Sequence, residues 1–316
     1  TAYMKANFPV EYMSAVLTAD SGDVEKISEI IHECERMDIE VLPPDINESF
    51  ADFSVVPGKN TIRFGLATIK NFGAGITEFI VEERKKNGPF ASLQDFLTRI
   101  HDRNLNKKSL EALICAGAFD NFADRAQLYG NLDNLLSYNR EHVAGKEASQ
   151  DSLFASVGSV SDLKLEQTEP LPVTTRLTWE KDLLGVYVSG HPLDEFESQL
   201  TQGSRKLISY IKNAVENKEE LPVLQMKGEV ALAGMIENVK ELLTKKGDRM
   251  AFIKLVNKTD SIEMVAFPEV YQANKDLFIA SNCVAIKGKL SIRNDEASIL
   301  IDRVKALSGT PSPASE

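Results

Sequence analysis

Four groups of residues in this 316-residue chain have types and spacings that invite chemistry. The first is the turn Phe72-Gly73-Ala74-Gly75, set in the stretch Ile62–Val81. Two glycines this close do not suit a helix interior, where each costs about 1 kcal/mol against alanine. In a turn they allow positive φ and let another backbone come near. With apolar-periodic segments on both sides, the stretch reads as helix, glycine hairpin, helix. The amides and dipole at the start of the second helix would then hold an anion, such as a nucleic-acid phosphate, with no base read. Taken alone, the pattern fits an ordinary helix–helix turn better.

The second group is Ser189-Gly190-His191-Pro192. A serine near a histidine suggests a nucleophile, but no Gly-x-Ser-x-Gly elbow surrounds it, so a cap and a proline helix start are expected instead. The third is the set of four histidines (32, 101, 142, 191) and three cysteines (34, 115, 283), which show neither metal-ligand spacing nor a disulfide framework. The fourth is the basic loop Lys245, Lys246 and Arg249, with Phe252 and Phe267 beyond it. The loop could track a phosphate backbone and contact a single strand. Phe252 is the better stacking candidate, although core packing is expected for both rings. No dinucleotide fingerprint, P-loop lysine or Asp-x-Asp pair is present. The chain is read as one that holds and positions, with no catalytic residue, metal ligand or cofactor of its own.

The elements that must position these groups follow from periodicity. Residues 1–60 read as helices, the second capped at Asp20-Ser21, then a strand at Ile39–Leu42 and a short hairpin of Phe53–Val56 with Thr61–Phe64. In 61–143, Ser92 and Asp95 mark one helix start and Asn106 another. The second helix carries Lys107 and Lys108 and runs into Ala116-Gly117-Ala118, a degenerate copy of the first hairpin. The span 144–222 is a linker in composition up to about Thr175, then two helices from Trp179. Inside the linker, Leu153 and Phe154 of Gln150-Asp151-Ser152-Leu153-Phe154 have no core to join and ask for a partner pocket. Residues 223–307 give five strands with a helix between the third and fourth, the order of an OB barrel. Residues 308–316 are disordered in composition. The fold class is multidomain α+β, mostly helical and then a five-stranded barrel.

The net charge is −11, but it is unevenly spread. Residues 1–56 hold 3 basic and 12 acidic side chains, and 57–140 hold 12 and 9. Residues 141–222 hold 8 and 14, and 223–316 hold 13 and 12. The hairpin and barrel segments are thus the two non-negative parts of an acidic chain, which favours local phosphate contact. No apolar run reaches the length of a membrane span, and the scattered cysteines fit a reducing cytoplasm. The start at Thr1, inside a helical pattern, suggests a fragment of a longer protein.

Several motifs, in order, now resemble one family. They are Thr1–Ala6 with Phe8-Pro9, Glu33–Met37, Val41–Asn47, Ile62–Leu66 with Ile69-Lys70-Asn71, Leu110–Ile114 with Ala116–Asp120, and Ser189–Asp194. Together they resemble the bacterial DNA polymerase III alpha subunit, from the end of its fingers onward. The resemblance implies a segment of a DNA-directed DNA polymerase, a nucleotidyltransferase whose catalytic aspartates and Mg2+ lie upstream. It implies paired helix-hairpin-helix motifs gripping duplex DNA, here at Lys70, Phe72–Gly75, Lys107, Lys108 and Gly117. It implies that Gln150–Phe154 docks on the sliding clamp and that the barrel lies near single-stranded template. The rest of the polymerase III holoenzyme would be a further partner. The family usually has Asp then Gly after the second barrel strand, where this chain has Asn257 and Asp260. A free-standing OB-fold single-strand-binding or scaffold protein is the alternative, and a nucleotide-dependent enzyme built on the glycine turn is a weaker third.

Overall fold

The computed structural model describes residues 1–102, 104–150, 162–201, 203, 205–206, 208–216, 229–258, 260–293 and 296–307. It forms two compact units, Thr1–Ser189 and Gly190–Glu316, each with its own apolar core.

The first unit begins with α1 (Ala2–Asn7) and α2 (Pro9–Ala19), where Pro9 takes the first helical position and has no amide to waste. Helix α3 spans Val24–Arg36. Its start is capped by Asp23, which accepts from the Lys26 amide at 3.3 Å, and not by the expected Asp20-Ser21. Three short strands follow, β1 (Glu40–Leu42), β2 (Ser54–Val55) and β3 (Thr61–Arg63). β3 is central, with Ile62 opposite Val41 in the parallel pair and opposite Val55 in the antiparallel pair.

Helices α4 (Ala74–Asn87), α5 (Leu93–Arg99), α6 (Lys107–Cys115), α7 (Arg125–Gly130) and α8 (Leu132–Gln150) come next. One core runs from Val10 to Val186, so the segment boundary expected at residue 60 does not separate two cores. Helix α9 spans Val173–Leu184, starting six residues before the expected Trp179 and directly after Pro172. It ends at Gly185 in the left-handed conformation, a common helix stop.

The second unit holds α10 (Glu197–Leu200), α11 (Ile208–Glu216) and the barrel. Its strands are β4 (Glu229–Leu243), β5 (Arg249–Val256), β6 (Ser261–Ala266), β7 (Cys283–Arg293) and β8 (Glu296–Ala306). Helix α12 (Pro268–Ala273) sits between the third and fourth strands, as the pattern predicts. The barrel closes in the order β4-β5-β6-β8-β7, with β6 and β8 parallel (Met264 opposite Ile299). Period-two burial along β5 sends Ala251, Ile253 and Leu255 inward. The turn at Asn257 and Asp260 is closed by two bonds, Asn257 N–H to the Asp260 carbonyl at 2.9 Å and Asp260 N–H to Asn257 Oδ1 at 2.7 Å.

Candidate nucleic-acid interface

The glycine turn sits at the start of α4, and its first arm is the hairpin strand expected at Thr61–Phe64 rather than the helix also read for the glycine stretch. Residues Thr61–Arg63 are strand β3, and Leu66–Thr68 make a single 3-10 turn. The backbone of Ala51 and Asp52 fills the place a Gly65 Cβ would need, which seats this segment against its neighbour. Nor do the turn glycines use positive φ. Gly73 is the N-cap at φ −85°, and the left-handed residue is Asn71 at φ 70°, a type that tolerates that region.

The glycines matter for what surrounds them. A Cβ on Gly73 or Gly75 would meet nothing within 4 Å, so neither is required by packing inside the chain. Gly73 has no side chain to cap the helix, so the first amides of α4 receive no side-chain acceptor. The result is an exposed, uncapped helix N-terminus with room above it. Lys70 is exposed beside it, held through its amide to the Leu183 carbonyl at 3.0 Å. Phe72 is buried and anchors the turn in the core.

The second turn is not where the sequence places it. Ala116-Gly117-Ala118 closes α6 as a Schellman motif, with the Ala118 amide bonded to the Leu113 carbonyl and the Gly117 amide to that of Ile114. Gly117 has φ 85° and is buried, and a Cβ there would run into the Arg125 guanidinium. This turn therefore faces the core, where no phosphate can reach it.

The true counterpart is the start of α6. Leu105 is buried just before the cap as Phe72 is, Asn106, Lys107 and Lys108 are exposed like Gly73, Ala74 and Gly75, and Ser109-Leu110 are buried like Ile76-Thr77. The two starts differ in chemistry. Asn106 accepts from the amides of Lys108 (3.0 Å) and Ser109 (3.2 Å), and Ser109 Oγ accepts from the Asn106 amide at 2.9 Å. Helix α6 therefore offers lysines where α4 offers amides. Lys107 Nζ lies 2.7 Å from Asp133, and this hydrogen bond, with the carboxylate charge, raises the lysine's pKa. Both side chains are largely in water, so phosphate can replace the carboxylate at small cost.

On the barrel, exposed Lys245 and Lys246 lie on the β4–β5 loop, which is closed by the Thr244 amide to the Asp248 carbonyl at 2.8 Å. Arg249 lies 3.3 Å from Glu241. Phe252 and Phe267 are 37% and 48% exposed, which corrects the expected core role of both. The reason is register, since Phe252 alternates with inward Ala251 and Ile253, while Phe267 caps α12. An outward row crosses four strand pairs as Lys240, Phe252, Val265, Leu300 and Lys289. Leu242 and Met250 stand opposite each other next to it. An exposed aromatic opposite a lysine suits base stacking beside a phosphate backbone. Periodicity alone could have marked Lys240 and Leu242, which were missed.

The pentapeptide Gln150–Phe154 lies outside the described residues except for the backbone of Gln150, the last residue of α8. From residue 162 onward, the linker-like composition conceals a docked segment. Asn131 pairs reciprocally with Glu166 (3.0 and 2.9 Å), and Leu163 and Leu165 pack on the first core. His191 Nδ1 accepts from the Leu193 amide at 3.1 Å, and the Ser189 amide donates to Glu180, so both serve the turn. Among the described residues there is no group of three or more His, Cys, Asp or Glu that could hold a metal ion. Also among them, no helix is long and apolar enough to cross a membrane.

A family profile described as a helix-hairpin-helix motif matches residues 38–128, and one described as an OB-fold nucleic acid binding domain matches 230–307. The DNA polymerase III subunit alpha of Thermus aquaticus is 40% identical over 273 residues, 86% of this chain and 21% of the relative. Those of Borreliella burgdorferi and Bacillus subtilis are each 33% identical, over 96% and 97% of this chain and 26% of each relative. The chain thus spans between a fifth and about a quarter of these relatives' length. Among solved structures, the SSB domain of a Synechococcus protein aligns at a TM-score of 0.23 and 16% identity, covering 24% of this chain and 92% of that one.

Proposed function

We propose that this chain, whose DNA polymerase III alpha relatives are 33–40% identical over 86–97% of it, is a segment of such a subunit that grips duplex DNA by its backbone while docking on a sliding clamp. The observation that carries the reading is the exposed start of α4, uncapped and with open space over Gly73 and Gly75. Its amides take one phosphate, and Lys70, Lys107 and Lys108 take others. Gln150, Leu153 and Phe154 enter the clamp, and tethering turns two weak contacts into one useful hold. The barrel's outer row and the loop with Lys245, Lys246 and Arg249 follow the single-stranded template. Template-directed synthesis, with its Mg2+, belongs to a catalytic core elsewhere in the polymerase, in the cytoplasm with the rest of the holoenzyme.

The test is duplex binding by anisotropy against salt, on random-sequence DNA. Affinity that falls steeply with salt and ignores sequence supports the grip. Retention of full affinity by a K70A/K107A/K108A variant would sink it. For the clamp, L153A/F154A should abolish capture of this chain by its clamp, and undiminished capture removes that partner. The second reading, a single-strand-binding or scaffold protein built on the barrel, draws on the exposed Phe252 row. It predicts that a preference for single strands survives deletion of residues 57–140.

A further inference from the structure

A groove of about 330 Å³ runs between residues 50–54 and one side of α4. Its floor and walls include Phe50, Ala51, Phe53 and Val81, and three carboxylates, Asp52, Glu78 and Glu82, line it against a single lysine, Lys85. The far wall has little regular structure yet is firmly held. The Phe50 and Ala51 carbonyls accept from the amides of Leu66 (2.8 Å) and Ala67 (3.0 Å), and the Phe53 carbonyl accepts from Ser14 Oγ at 3.1 Å. The buried Arg84 donates to the Ser49 carbonyl at 2.9 Å, and its guanidinium lies 5.5 Å from the Phe50 ring centre. The Gly65 contact pins the same wall.

On this rigid wall the Phe50 ring is nevertheless 45% exposed, with the Lys85 ammonium 5.8 Å from its centre. A preformed apolar cleft with an open aromatic is the usual form of a docking site. Charge decides what docks. Asp52, Glu78 and Glu82 outnumber Lys85 along the groove, so it repels phosphate and favours cations.

We propose that this groove docks a protein segment in which an apolar residue is flanked by arginine or lysine. The apolar side chain lies against Phe50 and Val81, and the cations meet Glu78 and Glu82, four residues apart on one ridge of α4. Glu78 is also three residues from Gly75, one turn inside the helix start. Docking therefore neutralises a carboxylate close to the end of α4 that holds phosphate. The groove and its occupant stand without the duplex reading, and only the coupling rests on it.

The test uses the full-length polymerase subunit and two labelled eight-residue peptides, one alternating leucine with arginine and one alternating leucine with glutamate, each carrying a benzophenone. The arginine peptide should bind and cross-link within residues 50–54 or 78–85, and F50A should weaken it about tenfold, the loss of one anchor. E78K/E82K should reverse the preference toward the glutamate peptide. Equal binding to all variants, cross-linking elsewhere, or no binding overturns the proposal. Duplex affinity, measured in parallel, fails or holds separately from it.

Discussion

At the scale of single residues, two glycines that look alike in the sequence do different work. Gly75 occupies the first turn of α4 with nothing near its absent side chain. Gly75→Ala should therefore keep the fold, raise helix stability by up to about 1 kcal/mol, and still weaken duplex binding by crowding the phosphate. Thermal melting and anisotropy on the same sample would show the two moving in opposite directions. Gly117→Ala meets both positive φ and the Arg125 guanidinium, and should cost about 1–3 kcal/mol in urea unfolding. Arg125 itself is nearly fully buried, and although burial works against its charge, Asp120 and Glu180 raise its pKa. Glu180 also accepts from the amides of Val188 (2.8 Å) and Ser189 (3.0 Å). Removing it in Glu180→Ala strands these donors and half-unpairs a buried cation, a loss of about 3 kcal/mol or more. Burial lifts the thiols of Cys34 and Cys283 to about 11 and that of Cys115 to about 12. Raised folded values stabilise the native state fully below the unfolded thiol pKa of about 8.5, and the contribution drains away as pH climbs through the folded values. Native protein at pH 8 should accordingly resist a thiol reagent that labels all three cysteines in urea.

At the scale of elements, the two helix starts make opposite predictions. A cap added to α4 by Gly73→Ser should stabilise it by a few tenths of a kcal/mol but occupy the amides meant for phosphate, so duplex affinity falls. Asn106→Ala should cost about 1 kcal/mol and leave the phosphate contacts of Lys107 and Lys108 nearly intact. Caps and strand periods were the legible part of the sequence. Ser92 accepts from the Asp95 amide and Asn106 from two amides, as their positions imply, and the barrel strands lie close to where alternation puts them. The arm before the glycine turn was ambiguous for a physical reason. Ile62, Phe64 and Leu66 repeat every two residues, while Ile62, Leu66 and Ile69 repeat as a helix does. The local hairpin pairing of Ile62 with Val55 and the more distant parallel pairing with Val41 decide between them in favour of the strand. Polar composition likewise concealed the docked segment at Leu163–Glu166, because its hold comes from Asn131 and two leucines rather than from any run of apolar residues. Small residues at Ala116–Ala118 signalled a tight turn correctly, but sequence could not say which side of it is buried.

At the scale of the whole molecule, an acidic chain confines its cations to a few places. The contact set of Lys70, Lys107, Lys108 and one helix end predicts release of about three counterions, hence a slope near −3 in log affinity against log salt. A much steeper slope would mean that the barrel lysines share the same duplex. The mechanical reading of α6 goes further. Its first turn carries the two lysines, and its last is locked by the Schellman bonds, Arg125 and Glu180, deep in the core. On the proposed grip, a pull on bound DNA would enter this strut at a wet contact and leave through a dry one. High salt would loosen the hand and spare the wrist. A grip built this way would fail under load by letting go of its track and stay folded to take hold again.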